Sequence, residues 1–520
     1  MLKRSNEYSQ IRREDYDVVV EGSKSPASSS FPVADAATLA RRRLLRSSNG
    51  SGKKLKGKKK EDKESSSLFR MRMYALNESF VAFCEKEISE EACRDYAFYA
   101  REIANEFAEK KTTVLSFGSG DCGQLGHGTN SERDTIVTKP RPIMAFSRGI
   151  RISQVACGGL HNVACSFDGA AYTWGCNDDG SLGRDGDEDA LYYPTRLPLF
   201  GEKKKNHPAI ASVAAGDTQS FVVTRDGDVY GWGCYKDKEG KQWFDCNEAL
   251  APKRKQTTPL LIEGLRKVKK VVCGAAFNAA LRTDGILMTW GIGQVGELGR
   301  KVASMTSSNG DYDLEIIRRE YLAPRSIHSN VKCVGAGAYH LLVATNKEVK
   351  ACGLNNYGQL GDGTSNSSPD EQFKNFVTVK NLPSGIVALD GGMHHSLCLT
   401  NKGDVYSWGR SDYGQLGLGS DIASKAGGSV LVPTKVDSLK DIVSIAAGSN
   451  HNLVTSSAAS VFAWGYGDMS ALGIGTATGD KPEPTKLETI PPLPDNGGSS
   501  IGVSQVAAGG QHSALILYPN

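Results

Sequence analysis

The chain has 520 residues, of which 39% are hydrophobic and 58 are glycine, a composition typical of a turn-rich folded protein. It contains no apolar run of about 18 residues, and its start, MLKRSNEYSQIRRED, lacks the apolar core of a secretory signal, so we expect neither a membrane span nor secretion. Its 12 cysteines include no Cys-x-x-Cys pair, which argues against a zinc site and predicts reduced thiols in the cytosol or nucleus.

Residues 1–66 are predicted to form a disordered basic tail. They hold 16 Lys and Arg against 9 Asp and Glu and have few large apolar side chains, so they cannot bury enough surface to fold alone. The rest of the chain carries 46 basic and 49 acidic side chains. The positive net charge of the protein therefore lies in the tail.

Two blocks of basic residues occur in this tail, RRRLLR at 41–46 and KKLKGKKK at 53–60. Such blocks act as nuclear import signals, which importin alpha reads, or as arms that bind DNA phosphates, or both. A solvated linker without a partner is the alternative interpretation. We assign these residues to DNA and nucleosome contact: Arg41, Arg42, Arg43, Lys53, Lys54, Lys58, Lys59 and Lys60.

Residues 67–112 are predicted to form a helical extension. The stretch NESFVAFCEKEISEEACRDYAFYAREIANEFAEKK contains neither Gly nor Pro. Its apolar residues recur at helical spacing, first at Phe80, Phe83 and Ile88 and then at Tyr99 and Ile103. We expect two amphipathic helices, which either brace the domain that follows or present an arm to a partner.

The sequence is periodic from residue 113 to residue 520. Seven strand-like segments end in Gly, namely LSFG, YTWG, YGWG, MTWG, KACG, YSWG and FAWG, at intervals of 56 to 62 residues. A second motif also occurs seven times: a Gly is followed, usually three positions later, by a His, and a strand-like segment of alternating apolar residues comes next. The region begins with a Gly-terminated strand that no Gly-x-x-His motif precedes, and it ends with a Gly-x-x-His strand that no Gly-terminated strand follows. We therefore predict an all-β, seven-bladed propeller that is closed by its own termini.

The histidines of the second signature should surround the central channel. They are His161, His340, His394, His451 and His512. Because they belong to different blades and no Cys or carboxylate recurs with them, we expect no metal site and no cofactor, and we interpret them as imidazoles that hydrogen-bond the backbone. The chain also lacks a phosphate-binding Gly-x-x-x-x-Gly-Lys loop, a nucleophile elbow and a His-Glu-x-x-His motif, so we expect no covalent chemistry.

The repeats resemble those of the regulator of chromosome condensation family. The segments VLSFGSGDCGQLGHG, YTWGCNDDGSLGRD, GRSDYGQLGLG and AAGGQHSALIL carry the resemblance, which covers about residues 113–518. It implies a guanine nucleotide exchange factor that binds chromatin in the nucleus and acts on the small GTPase Ran. The third repeat lacks the Gly-Gln-Leu-Gly turn, as it does in this family.

The resemblance implies that one face of the propeller contacts the GTPase. It assigns contacts to Asp217, to Arg300, and to His394 or its neighbour His395. The family has an acidic residue at the place of Ala276 and a histidine at the place of Gly358, and their loss weakens the expected contact.

In the third repeat, CYKDKEGKQW replaces the compact turn of the other repeats. A polar loop with a Gly at position 240 predicts a projecting hairpin, and the resemblance implies that this hairpin is a wedge that distorts the nucleotide site of the GTPase. The residues assigned to GTPase contact here are Tyr235, Lys236, Asp237, Lys238, Glu239 and Gly240.

A long loop, KVASMTSSNGDYDLEIIRREYLAP, follows the fourth turn. The resemblance implies that an arginine in this loop reaches the acidic patch of the histone dimer in a nucleosome, and Arg318 or Arg319 takes that role by position. A guanidinium pairs well with clustered carboxylates. The alternative is that both arginines only solvate a surface loop.

Two other functions fit a propeller of this kind. A non-catalytic adaptor for chromatin or for other proteins would not need the charged insertion in the third repeat. A plant-type ultraviolet photoreceptor would need clustered tryptophans, whereas five of the six Trp residues are anchors of separate strands. These five are Trp174, Trp232, Trp290, Trp408 and Trp464.

Overall fold

The computed structural model describes residues 112–520 except for 129–134, 147–148, 186–187, 199–207, 247–251, 366–373, 425–426, 476–478, 489, 491–500 and 520. The predicted tail (1–66) and helical extension (67–112) lie outside the described residues, except for Thr112.

Strands dominate the described part of the chain. In chain order they are β1 Thr113–Ser119, β2 Ile136–Pro142, β3 Ile152–Cys157, β4 His161–Ser166, β5 Ala171–Gly175, β6 Thr195–Arg196, β7 Ile210–Ala215, β8 Gln219–Thr224, β9 Val229–Gly233, β10 Tyr235–Lys236, β11 Gln242–Trp243, β12 Asp245–Cys246, β13 Pro252–Lys253, β14 Gln256–Leu261, β15 Val268–Cys273 and β16 Phe277–Arg282. The list continues with β17 Leu287–Gly291, β18 Arg325–His328, β19 Cys333–Ala336, β20 His340–Ala344, β21 Val349–Gly353, β22 Lys374–Thr378, β23 Ile386–Gly391, β24 His395–Thr400, β25 Val405–Arg410, β26 Ser429–Lys435, β27 Ile442–Ala447, β28 His451–Ser456, β29 Val461–Gly465, β30 Lys481–Lys486, β31 Ile501–Ala508 and β32 His512–Pro519.

Seven antiparallel sheets of four strands form the blades of a propeller. Blade 1 contains β31, β32, β1 and β2, blade 2 contains β3–β6, and blade 3 contains β7–β9 and β14. Blades 4 to 7 contain β15–β18, β19–β22, β23–β26 and β27–β30. The first strand of each blade contacts the first strand of the next blade around a closed ring. The predicted seven-bladed propeller is confirmed.

The two ends of the propeller domain pair within one blade. Strand β32 lies between β31 and β1, and its register with β1 runs from Leu517 opposite Thr113 to His512 opposite Gly118. A ring that is closed in this way leaves no inner strand edge open to pairing with another chain. The predicted closure of the propeller by its own termini is therefore confirmed.

Helices are short and lie in the loops. They are α1 Glu188–Leu191, α2 Leu314–Ile316 and α3 Ser420–Ala423, two 3-10 turns at Met144–Phe146 and Asp468–Ser470, and a π-helical turn at Ile317–Leu322. Within the described ranges, no helix has the length and apolar character needed to cross a bilayer.

A repeated set of hydrogen bonds joins neighbouring blades, as the contact between blades 5 and 6 illustrates. The His340 Nε2 atom lies 2.8 Å from Ser396 Oγ, and this hydroxyl donates to the Gln359 carbonyl at 2.8 Å. Trp408 Nε1 donates to the same carbonyl at 2.9 Å. Because the serine proton is directed to the carbonyl, the imidazole Nε2 carries a proton and donates to the serine oxygen.

The same imidazole contact recurs between other blades. The pairs are His161 with Ser220, His395 with Asn452, His451 with Ser513 and His512 with Asn162. The expectation that these imidazoles bond the backbone holds for His161, which also bonds the backbone of Gln219, but the Nε2 atoms of all five bond Ser and Asn side chains of the next blade. The repeat position in blade 6 is also His395 and not His394.

Each blade presents two loops to the same face of the propeller. Because neighbouring strands are antiparallel, the loop between the first and second strands and the loop between the third and fourth strands leave a blade at the same end. In blade 3 these loops are residues 216–218 and 234–255. We call this side the hairpin face and the other side the opposite face.

Candidate functional site

A hairpin projects from blade 3 on the hairpin face. Strand β10 pairs with β11, and the Gly240 amide donates to the Asp237 carbonyl at 2.9 Å to close the turn. Gly240 has φ of +77°, and a Cβ atom added there would meet no heavy atom within 4 Å. Lys236, Lys238 and Glu239 are exposed. The tip of the hairpin is thus a polar, open turn, as the sequence predicts.

Asp237 holds this hairpin together from within. One carboxylate oxygen accepts hydrogen bonds from the amides of Glu239 and Lys241 at 3.0 and 2.9 Å. The other accepts from Trp243 Nε1 at 3.0 Å and from the Tyr312 hydroxyl at 2.9 Å. The residue is only 6% exposed. The side chain of Asp237 therefore shapes the hairpin from inside, and its contact with a GTPase stays a prediction.

Tyr235 explains how blade 3 tolerates the loss of its compact turn. In blades 2, 6 and 7 the anchor tryptophan donates a hydrogen bond to a backbone carbonyl in the compact turn of the preceding blade. Blade 3 lacks this compact turn, so the anchor tryptophan of blade 4, Trp290, needs another acceptor. The Tyr235 hydroxyl takes its place and accepts from Trp290 Nε1 at 3.1 Å. The Tyr235 ring is 1% exposed and stacks on Phe244. The side chain of Tyr235 is thus a core element that replaces a backbone acceptor, and a contact between Tyr235 and a GTPase stays a prediction.

Lys236 is fixed to blade 2 at the base of the hairpin. Its Nζ atom lies 2.9 Å from a carboxylate oxygen of Asp179, and Gln242 Nε2 donates to the other oxygen of that carboxylate at 2.7 Å. Burial is the largest single effect and opposes the charge of Lys236, but the hydrogen bond to Asp179 and the negative charges around the ammonium together outweigh it, so the pKa of Lys236 is raised. Asp217 adds to this effect through its charge. The hairpin, Asp179 and Asp217 therefore form one electrostatically linked group.

The loop of blade 4, residues 301–324, braces the other side of the hairpin. The Tyr312 hydroxyl donates to Asp237 and also lies 2.9 Å from a Glu239 carboxylate oxygen. Lys241 Nζ lies 3.5 Å from the centroid of the Tyr312 ring and 4.6 Å from that of Trp243. Cation–π contacts of this kind contribute about 0.5–2 kcal/mol each. The hairpin is therefore held rigidly at both of its sides.

Arg300 lies at the start of this loop and is mostly buried. Its guanidinium lies 3.9 Å from Glu320, and its side chain is 15% exposed. Two of its nitrogens, Nε and Nη2, make no hydrogen bond to any described residue. Burial lowers the pKa of Arg300. A partner carboxylate that reached this guanidinium would satisfy the donors that the propeller itself leaves unpaired.

The two adjacent histidines of blade 6 have different environments. His395 is fully buried and bonds Asn452 of blade 7, so its side chain is not exposed on the hairpin face. His394 is half-buried on the hairpin face, and its ring lies 5.1 Å from that of Tyr357 and 5.9 Å from that of Tyr339. His394 is thus the residue of the pair that a partner can reach.

Gly358 lies at a position that requires glycine. Its φ is +75°, like that of Gly123 and Gly414 at the same place in their turns. Leu431 also lies too close to accommodate a Cβ atom. The side chain that this turn presents to the face is Tyr357, which packs against His394. An L-residue at position 358 would be strained, so this turn does not accommodate the histidine that the resemblance implies there.

Comparison with known proteins identifies the family. The RCC1-like domain family matches residues 113–515. The regulator of chromosome condensation from Xenopus laevis is 33% identical over 413 residues, which cover 78% of this chain and 89% of the relative. The guanine nucleotide exchange factor SRM1 from Saccharomyces cerevisiae is 28% identical over 77% of this chain and 86% of its own length.

The chain belongs to the RCC1-like family. The solved structure of Prp20p from Saccharomyces cerevisiae, described with its binding to Gsp1p and histones, has a TM-score of 0.67 and 25% identity over 80% of this chain and 95% of its own. Another solved structure, Kap60 bound to yeast RCC1 (Prp20), has the same TM-score and identity, and the match covers 79% of this chain and 89% of the matched chain. The ultraviolet-B receptor of Arabidopsis thaliana is 32% identical over 72% of this chain and 78% of its own, so membership in the RCC1-like family does not by itself define an activity.

Arg318 and Arg319 lie on the outside of the loop that braces the hairpin. Ile317 and Tyr321 anchor the π-helical turn in the same core cluster as Tyr235. Arg318 is 39% exposed and lies 3.4 Å from Glu315, whereas Arg319 is 55% exposed and lies 3.1 Å from Glu320. The more exposed Arg319 is the better placed of the two to reach a partner in this RCC1-like propeller.

Sequence reasoning missed several residues of the site. The sequence alone gives no sign of a role for Asp179, Tyr312 or Lys241. All three act through contacts between segments far apart in the sequence, which no local pattern reveals. In the described ranges, no group of three or more His, Cys, Asp or Glu side chains could hold a metal ion.

Proposed function

We propose that this RCC1-like protein is a guanine nucleotide exchange factor for the small GTPase Ran. The observation that carries the proposal is the braced polar hairpin of blade 3, which stands where the other repeats have a compact turn. The yeast matches support it, since the relative SRM1 is named a guanine nucleotide exchange factor and the solved structure of Prp20p is described with its binding to Gsp1p.

The hairpin meets a physical requirement of nucleotide exchange. A nucleotide bound to a small GTPase is held by backbone amides and a magnesium ion in a buried cradle. A flat propeller face cannot enter that cradle, whereas a braced projection can. The exposed tip, Lys238 and Glu239, is the part that would press on the cradle, and Asp237, Tyr312 and Lys241 keep it from bending away.

Exchange follows from differential binding. A protein that binds nucleotide-free Ran more tightly than loaded Ran lowers the affinity of the GTPase for its nucleotide, by the same factor by which that nucleotide lowers the affinity of Ran for the protein. No bond is made or broken, so the protein is not an enzyme in the covalent sense. The nucleotide that reloads is then the one present at higher concentration.

Asp217 and His394 supply the proposed contacts beside the hairpin. They belong to blades 3 and 6 and lie on the same face, so one GTPase must span blades 3 to 6 to meet both. Arg300 of blade 4 lies between them. A partner that covers this arc is positioned by several contacts while the hairpin acts on its nucleotide site.

The double variant Asp217→Asn/His394→Ala should weaken the complex with nucleotide-free Ran by about 10-fold or more, because two contact residues of ordinary strength are lost. Gel filtration of the purified complex and a titration by fluorescence anisotropy would measure this. Lys402→Ala on the opposite face is the control. A full-length parent that forms no complex with nucleotide-free Ran would refute the exchange function.

We further propose that the protein acts on chromatin in the nucleus. The basic blocks of the tail would bind importin alpha during entry and DNA phosphates afterwards. Arg319, with Arg318 beside it, would meet the acidic patch of the histone dimer. The Prp20p structure, described with histone binding, and the Kap60 complex of yeast RCC1 support these partners.

Arg319→Ala should weaken nucleosome binding of the full chain by about 10-fold, and Arg318→Ala should have a smaller effect because that side chain is less exposed. Binding should be measured at raised salt, where the tail contributes least. Arg282→Ala is a matched control, since Arg282 is paired with a neighbouring carboxylate, Asp284, on the opposite face. Undiminished binding by the Arg318→Ala/Arg319→Ala double variant would reject the assignment.

A further inference from the structure

A continuous row of stacked side chains lies on the hairpin face of blades 5, 6 and 7. Each ring or guanidinium in it lies 4.8 to 5.9 Å from the next, and every member is partly exposed. In order along the row, the members are Tyr339, His394, Tyr357, Arg410, Tyr413 and Tyr466. We call this set the aromatic row. It connects the loops of three neighbouring blades.

Arg410 is fixed near the centre of the row. Its guanidinium lies 4.9 Å from the centroid of the Tyr357 ring and 4.8 Å from that of the Tyr413 ring. Its Nε and Nη2 atoms donate to the two carboxylate oxygens of Asp412 at 2.7 and 2.8 Å. Such a bidentate pair balances the charge of the guanidinium and fixes its plane. The row is therefore ordered before any partner binds.

Blade 7 adds an exposed apolar side chain to this part of the face. In the compact turns of blades 5 and 6, the residue before the left-handed glycine is Tyr357 or Tyr413. The same place in blade 7 belongs to Met469, which is 43% exposed and has φ of +60°, and Ser470 replaces the glycine. Such a backbone is strained, and an exposed methionine contributes little to the core. Three successive turns thus present large apolar side chains at one position.

Blades 1 to 4 present different side chains on the hairpin face. The corresponding residue is Cys122 in blade 1, Asp179 in blade 2 and Val295 in blade 4, and the hairpin takes this place in blade 3. Asp179 and Asp217 make the surroundings of the hairpin charged. The face therefore has a charged part around the hairpin and an aromatic part on blades 5 to 7.

The composition of the aromatic row is that of the centre of a protein interface. Tyr, Arg and Met are enriched at such centres, Lys and Glu are depleted, and a few residues carry most of the binding energy. Because the rings already stack on one another, binding would immobilise few additional side chains. Nucleic acids need cations that are free to neutralise phosphates, whereas Arg410 is paired with Asp412. The row therefore fits a protein partner.

His394 indicates which protein lies on the row. It is a proposed contact of the GTPase, and its ring lies next to those of Tyr339 and Tyr357. A partner that covers His394 also covers these neighbours. We propose that the aromatic row anchors the GTPase through contacts that extend to blade 7, whereas the hairpin acts on its nucleotide. This inference rests on the proposed function.

Anchoring and nucleotide release have different kinetic signatures. A surface that holds loaded and nucleotide-free Ran equally well lowers KM and leaves kcat unchanged. Tyr413→Ala/Tyr466→Ala removes two rings at the end of the row that is farther from His394. We expect this variant to raise KM for loaded Ran by about 10-fold or more, with kcat within about 2-fold of the parent value. Met469→Ala, which changes only an exposed side chain, should raise KM by about 3-fold.

Initial rates of release of a fluorescent GDP analogue, measured over a range of loaded Ran concentrations, give both constants. Tyr413→Phe keeps the ring and should match the parent, and Tyr518→Ala removes a 37% exposed tyrosine on the opposite face as a control. A parental KM in the double variant and in Met469→Ala, or a reduced kcat in Met469→Ala, would overturn the inference and leave the proposed function intact. A parent that does not accelerate release would refute the proposed function and the inference with it.

Discussion

Replacing Lys236–Glu239 by Gly-Ser-Gly-Ser is expected to abolish the acceleration of GDP release from Ran. The replacement removes the exposed Lys238 and Glu239 and also removes Asp237, which accepts four hydrogen bonds inside the hairpin. Without it, the projection loses its attachment to Tyr312 and Trp243. We expect the stimulated rate to fall by about 100-fold or more, equivalent to about 3 kcal/mol, in a stopped-flow assay with a fluorescent GDP analogue.

Two controls separate this effect from misfolding. A Gly-Ser replacement of the exposed Asn346–Lys347 turn on the opposite face should leave the rate unchanged. Circular dichroism should be the same for both variants and the parent, because the core around Tyr235 and Trp290 is untouched. A hairpin variant that still stimulates release as the parent does would show that the projection is an ordinary surface insertion.

The propeller should lose stability steeply as the pH falls below the usual pKa of histidine. Burial lowers the pKa of His161 and His395 to about 4 and that of His340, His451 and His512 to about 3. Their Nε2 atoms already donate to the next blade, so protonation must occur at Nδ1 in the interior. Below about pH 6.5 the unfolded chain binds these protons and the folded chain does not. The free energy of unfolding is therefore highest above this pH and falls as the pH drops toward the pKa values of the folded state, about 3 to 4.

Two buried carboxyls act in the opposite direction. Burial raises the pKa of Glu297 to about 8 and that of Asp390 to about 6, so folding takes up protons there and acid favours the folded state. Between about pH 7.5 and 5.5, each buried histidine lowers the free energy of unfolding by about 1.4 kcal/mol. The loss from five histidines exceeds the gain in this free energy from the two carboxyls by a few kcal/mol. Urea unfolding at the two pH values measures the difference. Glu297→Gln should enlarge the loss, and a parent that is equally stable at both values would contradict this account of the imidazoles.

The fold could be read from the sequence because its signals are local and repeated. Strands ending in Trp-Gly and loops with Gly-x-x-His recur at nearly constant spacing, and the half-repeats at the two ends imply closure. The hairpin was also predictable, because the loss of Gly-Gln-Leu-Gly in blade 3 leaves a polar segment with no turn to form. Such features depend on residues that are neighbours in the chain.

The details of the site could not be predicted because they depend on distant contacts. Tyr235 reads as a surface residue beside Lys236, yet it accepts a hydrogen bond from Trp290, 55 residues away. Asp237 reads as a turn residue, but Tyr312, 75 residues away, helps to bury it. The segment Gly-Gly-Met-His-His has two adjacent histidines, and the sequence does not show which of them matches the histidine of the other repeats. The packing of Gly392 against the His395 ring shows that it is His395.

Release of labelled GDP from purified Ran tests the central claim most directly. A catalytic amount of the full chain is added to Ran loaded with a fluorescent GDP analogue, with unlabelled GTP or GDP in excess. The account predicts release that is accelerated by at least about 100-fold over many turnovers and equally with either nucleotide, since the protein favours the nucleotide-free state. A rate equal to that of Ran alone, from a propeller shown to be folded, would contradict it.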